Sequence, residues 1–467
     1  MRKYTRSLGC LFIAIILLIS LRISALADEA RELRGDDVTI QLSGGAPSGV
    51  LRDGLRDSFI YLAGGTEITI SSVVPFKTIY LIWDKIPGDW ILEADGESSE
   101  RSTGFLHEAV LLERGTDNAV IRLGEEGATL CDIYVFAEGE LPVWVQVWEP
   151  ILDRADLLVL PTHADDEHLF FGGILPTYAG EMGLRVQTVY MTNHWDDRVR
   201  PHEQLDGLWT VGVRNYPLVS EFPDLYASKE SLAAAEYVYG RETILKFQVE
   251  LLRRFRPLVV VGHDLNGEYG HGAHILNALT LCDALELAGD VSQYTESAEK
   301  YGVWDVPKCY LHLYGENQLV IEWDEPLERF GGRTGFDMAV EGFSKHVSQM
   351  QYFSVQRGGT WQDCRKFGLL RSTVGADSAG NTDLFENVDM NPETTPAPEP
   401  EPTPTEPAAA TPKPEATPVP TEASEAKETD TPNGSELNDA RTRMYILLIL
   451  GILAVASVVA ALIRRRG

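Results

Sequence analysis

Leu157-Leu158-Val159-Leu160-Pro161-Thr162-His163-Ala164-Asp165-Asp166-Glu167 is a short apolar run that stops at a histidine and three consecutive acids. Four apolar residues bounded by a proline read as a buried parallel strand, and open α/β sheets keep their sites at the carboxyl ends of such strands. His163 and Asp166 stand three apart across a tight turn, a spacing that lets an imidazole and a carboxylate face one metal ion. Asp165 is then left as a base. The competing reading of this stretch alone is an acidic surface turn with a capping aspartate.

A second stretch has the same form. Leu258-Val259-Val260-Val261 runs into Gly262-His263-Asp264-Leu265-Asn266-Gly267-Glu268-Tyr269-Gly270-His271-Gly272-Ala273-His274, again an apolar strand ending in a polar, glycine-bearing loop with paired histidines. Two such strand ends in one α/β unit can converge. His274 is the candidate third ligand, and His271 is left beside the metal as an acid or electrostatic aid. A histidine pair taken alone is also compatible with an ordinary loop or helix start.

Together these loops resemble those of the LmbE-like, or PIG-L, de-N-acetylase family, which carries HPDDE after its first strand and GHPDH after a later one. The resemblance covers roughly residues 157–388. Val186 to Thr192 resembles the family's second strand, and Arg200-Pro201-His202-Glu203 followed by Val211-Gly212-Val213 resembles its arginine–glutamate signature. Ala164 replaces the proline of the first motif, and Gly272-Ala273 replaces the Pro-Asp of the second. In the family that aspartate pairs with the neighbouring histidine, so Ala273 leaves the protonation of His271 open.

The resemblance implies a Rossmann-like, mostly parallel sheet and metal-dependent removal of an N-acetyl group from an amino sugar. The metal expected is Zn2+, with other divalent ions as alternatives, held by His163, Asp166 and His274. Two histidines and one aspartate leave an open position for water. Asp165 is the expected base, His271 and Tyr269 would stabilise the oxyanion, and Arg200 and Glu203 could orient sugar hydroxyls. An ordinary helix-start ion pair is the competing reading of Arg200 and Glu203. Two other functions remain open: a non-catalytic surface carbohydrate-binding protein that keeps the fold, and an amidase acting on a non-glycan small molecule.

Around this domain, placed at 151–389, the chain changes character. Residues 28–150 alternate with period two at Val38, Ile40 and Leu42, at Ile68 and Ile70, and at Ile79, Leu81 and Trp83, with turn signals between. This predicts an all-β sandwich loosely similar to galactose-binding, discoidin-like domains, with possible carbohydrate binding. Trp83 and Trp90 could stack on a sugar ring or fill a core.

Residues 1–27 have the basic, apolar and A-x-A segments of a signal peptide. The Pro/Thr/Glu-rich stretch 390–442 reads as a disordered tether, 443–463 as a transmembrane helix, and Arg464-Arg465-Arg466 within 464–467 as a cytoplasmic tail. The expected location is the cell membrane, single-pass, with the bulk of the chain outside. A formal charge of −30 argues against nucleic acid as a partner. The five cysteines lack metal-knuckle spacing and read as free thiols, apart from Cys10 in the leader.

Overall fold

The structure, a computed structural model, describes residues 28–359 and 362–390. All of them belong to one compact unit. The signal peptide, nearly all of the tether and the expected transmembrane helix lie outside the described residues.

The amino-terminal strands are β1 (Val38–Leu42), β2 (Ile60–Leu62), β3 (Glu67–Trp83), β4 (Trp90–Ala94), β5 (Glu97–Arg101), β6 (His107–Leu123) and β7 (Ala128–Phe136). They pair antiparallel throughout, in one continuous hydrogen-bonded network. The length of β3 and β6, 17 residues each, lets them pair with several neighbours, and register shifts near Phe76 break their ladder into two halves. Period-two patterning carries through to burial: Val38, Ile40 and Leu42 are buried while the residues between them are exposed.

The second sheet comprises β8 (Leu157–Val159), β9 (Val186–Tyr190), β10 (Leu218–Val219), β11 (Val259–Gly262), β12 (Lys308–His312), β13 (Gln318–Val320) and a late strand at Lys366–Ser372. Its order is β10-β9-β8-β11-β12, then the late strand, then β13. The first five are parallel to one another. The late strand and β13 are antiparallel. The expectation of a mostly parallel Rossmann-like architecture is thus corrected: this sheet is mixed, and pairing across the chain is largely antiparallel. The late strand enters between β12 and β13 after the long excursion of residues 321–365 and runs against both.

Helices α1 (Asp166–Leu169), α2 (Arg200–Thr210), α3 (Leu232–Tyr239), α4 (Arg241–Phe255), α5 (Gly272–Leu287), α6 (Thr295–Tyr301) and α7 (Gly335–Phe343) connect or flank this sheet. No helix among the described residues is long and apolar enough to cross a membrane. The described structure thus contains nothing that supports the single-pass anchor, the membrane partner or the cell-surface location, and the segments 1–27 and 443–463 on which those expectations rest lie outside the described residues.

Both faces of the second sheet are covered. Leu157 and Val159 of β8 join a core that includes Ile79 and Val110 of the first sheet, while Leu158 packs with Val249, Leu252 and Leu281 of α4 and α5. A strand buried on both sides reads as a continuous apolar run, the pattern of residues 157–160. From β8 the chain proceeds to β9 and β10 on one side and later to β11 and β12 on the other. The sheet order therefore reverses between β8 and β11, and that switch point opens a crevice beyond their carboxyl ends.

The two sheets meet through specific polar contacts. The Leu106 N–H donates to the Tyr216 hydroxyl at 2.9 Å, Arg198 pairs with Asp84, and His107 Nε2 lies 2.8 Å from His202 Nδ1 on α2. Both imidazoles are buried. Burial, helped by the Arg56 guanidinium, pushes His202 down to about 3 and holds His107 well below the usual range. Unfolded imidazoles titrate near 6.5. Below that pH the unfolded chain takes up protons that the folded pair refuses, so stability falls with pH by about 1.4 kcal/mol per unit for each ring. The urea midpoint is expected to drop between pH 7 and pH 5. In His202→Asn the slope should flatten by about 1.4 kcal/mol per unit, and an unchanged slope would show that this ring is protonated in the fold.

Candidate active site

Beyond β8 the backbone turns sharply. Thr162 and His163 donate their N–H groups to Asp166 Oδ2 at 3.1 and 2.7 Å, which closes the loop that begins α1. Asp165, the residue before that helix, sits at φ 123°, a conformation L-residues rarely adopt and one that concentrates at functional sites. Its N–H donates to Glu167 Oε2 at 2.8 Å.

Beyond β11 the corresponding loop is organised by a buried carboxylate. Glu268 Oε1 lies 3.0 Å from both His263 Nδ1 and His312 Nδ1, and its Oε2 lies 2.7 Å from His274 Nδ1. These partners, His263 first, hold the Glu268 carboxyl well below its usual range despite complete burial. Glu268 too has positive φ, 56°. A carboxylate on the far nitrogen of a histidine fixes its tautomer and aims the other nitrogen, the usual support of a metal-ligating imidazole.

The two loops converge. His163 Nδ1 is 3.0 Å from His274 Nε2, and each lies 3.4 Å from Asp166 Oδ2. Donors around one small tetrahedral ion stand roughly 3.3 Å apart, so this triangle has the spacing to hold a divalent metal. His163 Nε2 is buried without a hydrogen-bond partner, 3.5 Å from Asp224 Oδ1. Among the described residues, His163, His271 and His274 form one group able to hold a divalent metal, and Asp166, His263 and His274 another. Burial lowers the affinity of His163 for a proton, but the Asp166 and Asp224 carboxylates overcome it and raise the ring to about 10; a metal bound there displaces that proton.

Asp165 borders the same crevice. Burial pushes its carboxyl up to about 7, against the pull of Arg200, whose Nη2 lies 3.7 Å from Asp165 Oδ2 and also donates to the Ala164 carbonyl. The crevice has a volume of about 510 Å³, and His163, Asp165, Asp166, Arg200, Tyr269 and His271 all line it. His274 lies beneath it, fully buried. Glu203 is placed otherwise: both its oxygens accept from Ser348, from the N–H at 2.8 Å and the hydroxyl at 2.6 Å, and it does not line the crevice.

Several wall residues were missed from sequence. Asp224, Tyr226 and Lys229 follow β10, and Tyr352 and Phe353 follow α7. Glu268 and His263 were visible within the quoted loop, but nothing in their spacing distinguishes a hub from a turn. Trp83 and Trp90, considered as sugar platforms, are buried at 0% and 1% exposure with ring centroids 6.1 Å apart, so they are core.

Ala273 is likewise clarified. It is buried among Met191, Ala235, Tyr239, Ile244 and Leu276, so a carboxylate there would enter an apolar cluster. His271 stacks on His274 at 4.4 Å between ring centroids, and its Nδ1 is buried without a partner. Burial, with His163 and His274 nearby, pushes it down to about 2.

The chain is 39% identical over 209 residues to 1D-myo-inositol 2-acetamido-2-deoxy-alpha-D-glucopyranoside deacetylase 1 of Catenulispora acidiphila, covering 40% of this chain and 63% of that protein. It is 43% identical over 152 residues to deacetylase 2 of the same description from Saccharopolyspora erythraea, covering 32% and 50%. The chain thus spans between half and two thirds of the length of these curated relatives. No protein-family model matches it. Among solved structures, N,N'-diacetylchitobiose deacetylase from Pyrococcus horikoshii aligns at 17% identity and a TM-score of 0.33, over 42% of this chain and 71% of that one. A carbohydrate-binding module produced by Clostridium perfringens aligns at 13% identity and a TM-score of 0.20, over 23% of this chain and all of the module. Likeness at that level carries neither fold nor function.

Proposed function

We propose that this chain is a metal-dependent hydrolase that removes the acetyl group from an N-acetylated amino sugar, with residues 151–389 bearing the site. The observation that carries the reading is the triangle of His163, Asp166 and His274 at the sheet's switch point, with the buried Asp165 carboxylate beside it. The sequence similarity to two acetamido-sugar deacetylases supports the substrate class.

His163, Asp166 and His274 would hold the ion, and their mixed nitrogen and oxygen set suits zinc. When bound, such an ion acidifies a water and polarises the amide carbonyl. Asp165 takes the proton of the attacking water and returns it to the departing amine, so that cleavage of the C–N bond yields acetate and a free amino sugar. Arg200 keeps Asp165 oriented through the Ala164 carbonyl and its own charge. Tyr269 and His271 stand on the crevice wall as donors to the developing oxyanion. At the mouth, Tyr226 and Tyr352 are 79% and 67% exposed and offer faces on which sugar rings stack.

The test is acetate release. Full-length, zinc-loaded protein is incubated with N-acetylglucosaminyl-inositol and with N-acetylated chitooligosaccharides, and acetate and new primary amine are quantified together. Equal amounts of both products are expected from at least one of these substrates. Bound metal with no acetate from any N-acetylated amino sugar would overturn the assignment.

A further inference from the structure

A second group of ligand-type side chains lies behind the crevice and takes no part in the chemistry above. Glu167, His168 and His346 are each fully buried, and together they form a third group able to hold a metal. Glu167 Oε1 is 3.0 Å from His346 Nε2 and 3.5 Å from His168 Nε2. Those separations match the roughly 3.3 Å edges of a tetrahedral zinc site.

An independent observation points to a missing ligand. His168 Nε2, the ring nitrogen nearest Glu167, has no hydrogen-bond partner although the ring is wholly enclosed. Buried polar groups left so are rare and require an explanation such as an ion. The surrounding backbone makes room for this cluster with glycines on two helices. A Cβ at Gly207 of α2 would lie 2.7 Å from His168 Nε2 and 2.9 Å from His346 Nε2, and one at Gly342 of α7 would lie 2.4 Å from His168 Cε1.

We propose that Glu167, His168 and His346 bind a second, structural zinc ion that ties α1 to the segment after α7. The donor set is chemically suited: two imidazoles and one carboxylate are ordinary zinc ligands. None of the three lines the crevice, so the ion is enclosed on folding and does not exchange with substrate. Glu167 reaches the catalytic loop with its other oxygen, which accepts the Asp165 N–H at 2.8 Å. The second ion therefore holds the carboxylate that fixes the positive-φ backbone of Asp165.

The test is metal stoichiometry by plasma mass spectrometry on the full chain purified in zinc. Wild type is expected to hold two ions and His274→Ala one. A chelator such as dipicolinate should strip one ion from native wild type, the other leaving only when urea unfolds the chain. His168→Phe should hold one ion and keep the strippable one. No zinc in His274→Ala, or as many ions in His168→Phe as in wild type, would each overturn the proposal. If His168→Phe does not fold, the His274→Ala count decides alone. Absence of acetate release from protein holding two ions would overturn the deacetylase assignment and leave this one standing.

Discussion

Asp165→Asn is expected to lower turnover by roughly 10²–10⁴ while leaving the zinc content unchanged, the loss typical of removing a general base. The substitution is chosen for shape. Asp165 stands at φ 123°, and asparagine shares with aspartate an unusual tolerance of positive φ, so the loop that presents His163 and Asp166 should survive. The Asp165 N–H to Glu167 bond is a backbone contact and also persists. What disappears is the carboxylate next to Arg200, the only acid of the 163–167 turn that lines the crevice without belonging to the proposed ligand triangle. Single-turnover acetate release, with metal content measured on the same sample, checks this. Activity within tenfold of wild type would assign the base elsewhere, and joint loss of metal and activity would make Asp165 a ligand.

The second large effect concerns the ligands and the group that orients one of them. His163→Ala, Asp166→Ala and His274→Ala should each cost the ion at the crevice, because three protein donors leave no spare. Glu268→Gln is the more discriminating change. It keeps the shape but removes the charge that meets His263, His274 and His312, and loss of such an orienting carboxylate typically lowers metal affinity by about 10–100-fold. It also leaves a buried cluster of imidazoles without its anion, a change that costs about 3–5 kcal/mol in comparable buried pairs. Chelator competition and urea unfolding measure the two consequences separately. Wild-type affinity in His274→Ala would exclude the triangle as the metal site. Wild-type affinity in a folded Glu268→Gln protein would show that the His274 ring is aimed by packing alone.

Glu203 and Ala273 illustrate how far motif reading extends. Both stand in stretches that resemble a deacetylase signature, and both have local surroundings that no signature encodes. Ser348, 145 positions away, occupies the Glu203 carboxylate, and an apolar cluster drawn from α3, α4 and the end of β9 surrounds Ala273. Spacing along the chain reports which residues can share a turn. It does not report which distant side chain fills the remaining hydrogen bonds.

The sequence by itself determined the two apolar strands and the polar loops at their ends, because a strand buried on both faces must be continuously apolar and must stop where polar groups begin. It also determined the β-rich character of residues 38–136, since period two follows from the pleat. Only the tertiary structure decided that β8 and β11 lie side by side, which brings His163 within 3.0 Å of His274 across 111 positions. The same holds for the antiparallel strand at Lys366–Ser372, for Glu268 as the hub of three imidazoles, and for the meeting of Glu167 and His168 with His346. Strand direction and long-range partnership leave no local periodicity to read. They are set by which packing of the whole chain buries its apolar faces while giving each buried charge a partner.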